Sequence, residues 1–262
     1  MTQPTPQLPY PEVKKENIDT VLLNLSQVIK ETLDNKIKEL SKYIETKELK
    51  GAIKSYTKVF DDLKGKYGAE FEKEYSLDNI FKQIGSYTDT ILSLGTSIQQ
   101  FYIASLAHRY ISMQSAMQNI RDVNVRRQLQ SQMALMERIL ARAVAEELKM
   151  SIKDLDELTP EERRRITDRI TQLASWYKGL IDTVKGSIAN RFVLKYGDNP
   201  EFVSSITSLV EAYFDVPSTV LMELTNAVGE KIADYRVVGD IMGYIFMKDS
   251  DLMNGLYKKS RE

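Results

Sequence analysis

His108 is the one imidazole in the chain, it stands beside Arg109, and there is no cysteine at all. An imidazole works as a base, an acid or a ligand only in company. A Ser-His-Asp arrangement would have to be built around this residue, and no Gly-x-Ser-x-Gly elbow occurs to carry its nucleophile. One histidine and no thiolate also leave the usual zinc sets unfilled, and a di-iron bundle would need Glu-x-x-His pairs on two helices. The neighbouring carboxylates Asp61 and Asp62, Asp154 and Asp156, and Glu161 and Glu162 are the remaining candidates for acid–base work or for holding a cation. Their places in loops and at helix starts fit solvated charges that complement a helix dipole. Gly65 and Gly68 lack the further glycine and the Lys-Ser/Thr ending of a phosphate-cradling loop. The expectation is a non-enzyme with no catalytic residue, no cofactor, no metal and no small-molecule substrate.

Chemistry of contact is better represented than chemistry of reaction. Arg127, Arg138 and Arg142 share one face of a helical wheel, and such a stripe suits nucleic-acid phosphates as well as plain solvent. Arg163, Arg164, Arg165 and Arg169 are denser, yet Glu161 with Arg165 and Arg164 with Asp168 stand at i, i+4 and are expected to neutralise one another. Overall charge is -1, from 36 basic and 37 acidic residues, so no global field steers the chain toward nucleic acid. Every basic residue before His108 is lysine, whereas between Lys82 and Lys149 the others are all arginine. The same middle region is rich in Gln114, Gln118, Gln128, Gln130, Met113, Met117 and Met133. Flexible thioethers fill irregular interfaces and guanidinium groups make planar contacts, which marks this region as the place for partners.

These groups are positioned by helices. A composition of 42% hydrophobic and 28% charged residues is that of an ordinary globular chain, and its length needs no disulfide to hold a core. Four prolines, Pro4, Pro6, Pro9 and Pro11, make residues 1–15 an extended arm. Ile18, Leu22, Leu25, Ile29, Leu33, Ile37, Leu40 and Ile44 predict a helix to about Glu48. Another is expected after Gly51 on Ile53, Tyr56, Val59, Phe60, Leu63 and Tyr67, ending at Gly65 and Gly68. A third runs from about Leu77 to Asn119, and a fourth from Val125 to Met150 with Val125, Leu129, Met133, Met136, Leu140, Val144 and Leu148 inward. Thr159, Pro160 and Glu162 spell a helix start with a capping box, opening a helix on Ile166, Ile170, Leu173, Tyr177, Leu180, Val184, Ile188 and Phe192. Beyond Pro200 shorter pieces are expected, Glu201 to Phe214, Ser218 to Tyr235, Asp240 to Met247 and Ser250 to Lys259, punctuated by Pro217, Gly239 and Gly243. No stretch alternates as a strand does. The predicted architecture is all-α: an arm (1–15), a long-helix bundle (16–197) and a short-helix carboxy-terminal subdomain (198–262).

No charged residue lies between Asp89 and His108, and that stretch is apolar nearly all round, as a buried central helix is. Gln99, Gln100 and several hydroxyls keep it from reading as a membrane span. Its small residues allow close helix approach, so Gly95, Ile98, Phe101, Tyr102, Met113 and Met117 are the candidate self-association residues. Met1 to Pro11 lacks the basic start and apolar run of a secretory signal, which predicts synthesis in the cytoplasm. In general manner, with long helices, no cysteine and many tyrosines and isoleucines, the chain is similar to helical proteins of thermophilic archaeal viruses or plasmids. That likeness is carried by no motif, and it implies a viral structural role. The leading expectation is a structural or assembly protein that self-associates through its central helices, as a virion or other particle component. The alternatives are a nucleic-acid-binding protein using Arg127, Arg138 and Arg142, and a regulatory adaptor that binds another protein.

Overall fold

The computed structural model describes residues 46–96, 98–151, 155–229 and 257–262, all within one unit, 44–262. Among them the chain is all-α and forms no strand. The helices are α1 (Lys47–Tyr67), α2 (Ala69–Glu74), α3 (Leu77–Ser93), α4 (Ile98–Met117), α5 (Val123–Glu147), α6 (Pro160–Tyr196) and α7 (Pro200–Gly229). A 3₁₀ turn, Leu155–Glu157, precedes α6, and residues 257–261 are helical. In the bundle α4 touches α5, α6 and α7, while α1 lies along α7. The arm and most of the first expected helix lie outside the described residues.

Periodicity located the buried stripe of α6 in full, and in α5 only Met136, Leu140 and Val144 of the residues expected inward are buried. All eight residues expected inward on α6 are buried. Its start is also as read: the Glu162 amide donates to Thr159 Oγ1 (3.2 Å), and the Thr159 amide donates to Glu162 Oε2 (2.8 Å). Helix boundaries moved where tertiary contacts outweighed local punctuation. Helix α1 begins at Lys47, ahead of Gly51, because Leu49 belongs to the same buried stripe as Ile53 and Tyr56. A helical glycine costs only about 1 kcal/mol against alanine, less than burying a leucine contributes. The helix expected over Leu77 to Asn119 is two, broken at Leu94 and Gly95, where Gly95 takes a φ of +99°.

The largest departure is α7, which runs unbroken past Pro217, where a helix end was expected. Proline has no amide hydrogen, so the carbonyl four residues earlier loses its helical donor. That carbonyl belongs to Tyr213, and it accepts the Tyr257 hydroxyl at 3.2 Å. The next one, on Phe214, accepts the Tyr177 hydroxyl at 2.5 Å and Ser105 Oγ at 3.4 Å. Arg109 reaches the same turn, donating from Nη1 to Thr219 Oγ1 (2.8 Å) and Ser218 Oγ (3.4 Å), 3.7 Å from the Asp215 carboxylate. The carboxy-terminal turn thus bonds the carbonyl that Pro217 leaves, while α4 and α6 hold the turn beside it. Helix α7 also packs on α1, within the one unit 44–262, and residues 230–256 of the expected carboxy-terminal subdomain lie outside the described residues.

The other end of the bundle is an aromatic cluster. Phe71 on α2 lies 5.5 Å from Phe60, 5.3 Å from Tyr75 and 5.4 Å from Phe202, and Phe192 and Phe202 are 4.6 Å apart between ring centres. The Tyr56 hydroxyl donates to the Tyr75 carbonyl at 2.6 Å. The buried Tyr75 hydroxyl itself has no partner.

Two tyrosine-to-phenylalanine changes are therefore expected to act with opposite sign in urea unfolding. Tyr257→Phe removes the hydroxyl that the Tyr213 carbonyl accepts and lowers stability by about 1–2 kcal/mol, whereas Tyr75→Phe removes a buried hydroxyl with no partner among the described residues and raises it by up to about 1 kcal/mol. Equal losses in the two variants would contradict this account.

Candidate functional site

Helices α4 and α5 are joined by only residues 118–122 and pack on one another, forming an antiparallel hairpin. Its turn is closed locally. Asp122 caps α5, its Oδ1 accepting from the amides of Asn124 (2.8 Å) and Val125 (3.2 Å), and Arg126 Nη2 donates to the Ile120 carbonyl at 2.5 Å.

Burial changes sharply along this hairpin. In its stem, every residue from 101 to 107 is buried, as an all-round apolar helix requires, and Met136, Ile139, Leu140 and Val144 are buried opposite. Toward its end, every residue from 121 to 128 is exposed. Val123 is 60% exposed and Val125 44%, and Met113, Met117, Ile120, Leu129 and Met133 are half-buried. Val125, expected inward by periodicity, is thus one of the more exposed large apolar side chains. The stripe continues in sequence past the point where the bundle stops covering it.

The structure divides the residues expected to self-associate. Phe101 and Tyr102 are consumed in the chain's own interior, at 6% and 2% exposure, so they offer no surface to a partner. Gly95 forms the exposed α3–α4 turn. The side chain of Ile98 lies outside the described residues. Met113 and Met117 stand on the hairpin end with the valines. Of the three arginines, Arg127 and Arg138 are exposed and in no ion pair among the described residues, while Arg142 pairs with Glu146 at 3.4 Å. Arg121, which sequence reasoning passed over, is exposed and equally unpaired. One signal was available for it: Asp122 is the only acid between Asp89 and Glu137, and it is occupied as a cap. In the denser cluster the expected pairs Glu161–Arg165 and Arg164–Asp168 do not form among the described residues. Arg169 there bonds instead to Glu147 of α5.

At the foot of the exposed end lies an open groove of about 930 Å³ between α1, α4, α5, α6 and α7. Its floor includes the small residues Gly51, Ala52, Ala116 and Ala212. Along one wall Lys178 meets Asp182 at 2.7 Å, and Lys185 bridges Asp182 and Glu211, each at 2.9 Å. Hydrogen bonds from Lys178 and Lys185 hold the Asp182 carboxyl below its ordinary range. His108 opens onto the groove with its ring 5.7 Å from that of Tyr177. Burial pushes its imidazole down, with Asp215 opposing. The acids weighed in the sequence are spent elsewhere or stand apart: Asp61 pairs with Lys64, Glu162 caps α6, and Asp154 lies outside the described residues. Among the described residues no group of histidines and carboxylates is placed to hold a metal ion, and no helix is long and apolar enough to cross a membrane. No protein-family model, curated protein or solved structure matches this chain.

The His108 environment sets a pH dependence. With a folded-state value depressed below the ordinary 6.5, the unfolded chain binds the extra proton first as pH falls. Stability is then whole above about pH 6.5 and declines below it, levelling once the folded form is also protonated. Between pH 7.5 and 5 wild type should lose more unfolding free energy than His108→Gln, and parallel curves would contradict the assignment.

Proposed function

We propose that this chain is a non-enzymatic assembly protein that self-associates through the exposed end of the α4–α5 hairpin, as a component of a larger particle. The observation that carries this reading is the end of the hairpin, where Val123 and Val125 are exposed and Met113, Met117, Leu129 and Met133 are only half-buried, whereas residues 101–107 of its stem are all buried. Contiguous exposed apolar surface on an otherwise well-packed chain marks an interaction site. Methionine suits it, because an unbranched thioether adapts to a partner's contour. Two such hairpin ends laid against each other would bury both stripes in a helix-on-helix contact, and a two-fold axis lets one surface serve both copies.

Light scattering tests the reading directly. Wild type should scatter as a defined multiple of 30.0 kDa. Replacing Val123 and Val125 with aspartate places acids in the first turn of α5, where a helix tolerates them. Losing about 1.4–2.8 kcal/mol of apolar contact weakens self-association roughly tenfold to a hundredfold. Leu194→Asp, on a still more exposed residue of α6, is the control and should change nothing. A monomeric wild type, or loss of assembly in the control alone, would reject this function.

A second reading is favoured by the charges of the same region. Arg121, Arg127 and Arg138 are in no ion pair among the described residues, and the first two stand in an acid-poor stretch with Gln118, Gln128 and Gln130, groups that bond phosphates and base edges. Under it, a labelled DNA or RNA oligonucleotide binds with an affinity that falls steeply with salt. Arg127→Glu with Arg138→Glu then reduces the log–log salt slope by roughly 2. Assembly that persists in this double variant, with no oligonucleotide bound by wild type, favours the first reading.

A further inference from the structure

We propose that a second, smaller pocket, where α3, α7 and the carboxy-terminal turn meet, binds a small organic phosphate of nucleoside-diphosphate size. The pocket holds about 560 Å³ and lies apart from the hairpin end and the groove. Three cations line it, Lys73, Lys82 and Arg261, against one acid, Asp78, and that acid is already bonded to Arg261. Lys73 and Lys82 have no ion-pair partner among the described residues. Lys64, Lys178, Lys185 and Lys195 each hold at least one carboxylate, and Lys54 and Lys58, which like Lys73 and Lys82 hold none among the described residues, do not line this pocket. Two unneutralised ammonium groups facing one cavity give it a local positive potential within a chain of almost zero net charge, and an anion of charge near -2 is its complement.

The third cation is held in place. The Arg261 guanidinium lies over the Phe81 ring, 4.6 Å from its centre. A planar fork fixed in this way loses little freedom on meeting phosphate oxygens, which it binds through paired N–H donors. Beside Ser76, Asn79 and Gly85, the remaining lining is aromatic: Phe81, Tyr213 and Tyr257, with the two tyrosine rings parallel at 4.1 Å. A bare phosphate would leave most of this volume and all of its apolar wall uncovered. An organic phosphate fills both, since pockets of a few hundred cubic ångströms with a few convergent polar groups are the usual size for small ligands. Because Tyr257 and Arg261 come from the carboxy-terminal turn, the ligand would bridge that turn to α2 and α3.

Isothermal titration of the full chain with ADP and with pyrophosphate tests this, with thermal unfolding as an independent readout. Both probes should bind, ADP at least threefold more tightly because it also covers the aromatic wall, and each should raise Tm. Lys73→Ala with Lys82→Ala removes two exposed side chains that support no contact in the fold. That variant should weaken ADP at least tenfold with its circular dichroism unchanged, as should Arg261→Gln to a smaller extent. The control pair Lys54→Ala and Lys58→Ala on α1 should bind as wild type does. No heat and no Tm shift at millimolar probe would overturn the proposal, as would equal affinity in the Lys73/Lys82 variant and its control, or pyrophosphate binding as tightly as ADP.

Discussion

The missing amide hydrogen of Pro217 is the constraint around which this bundle is organised. A helix carried past a proline has one carbonyl without its donor and a backbone bent away from it. In α7 that gap falls in the middle of the packed surface, where water is not at hand to fill it. The Tyr257 hydroxyl bonds that carbonyl, those of Tyr177 and Ser105 bond the neighbouring Phe214 carbonyl, and Arg109 ties down the following turn. Each donor comes from a different part of the chain, so the elements around α7 are held at one height and one rotation. A nonspecific apolar contact would leave both free to slide.

The aromatic cluster about Phe71 does the same work at the far end by a different means. Rings from α1, α2, α6 and α7 meet there in stacked and edge-on pairs, and their shapes restrict sliding where hydrogen bonds are few. Beside the Pro217 region α4 is buried all round over residues 101–107. Beyond them it is not, and the hairpin passes from core to surface within a few turns. The exposed valines and methionines at its end follow from this geometry: the apolar stripe of α5 is longer than the bundle that covers it. The argument for assembly rests on that mismatch of lengths.

The arginines tell a related story about pairing. Arg109 and Arg169 are of the same type as Arg127 and Arg138, yet the first two link elements of the fold and the latter two face solvent in no ion pair among the described residues. A guanidinium that bonds across helices contributes to stability, whereas one that finds no carboxylate leaves its charge available to a partner. Asp122 could have balanced the hairpin end and does not, because its carboxylate is turned onto the first amides of α5.

Much of this was legible in the residue order alone. The all-α class, the buried stripe of α6, the capping box at Thr159 and the all-round burial of residues 101–107 follow from local periodicity and local hydrogen bonding, and neighbours in sequence suffice to express both. Tertiary structure alone decided the rest. Whether Pro217 ends a helix depends on a tyrosine forty residues away. Phe101 and Val125 sit on similarly apolar patterns, and one is interior while the other meets water. Periodicity states which side of a helix is apolar. How far along that side other helices extend is set by their lengths and crossing points, and these exist only once the chain has packed.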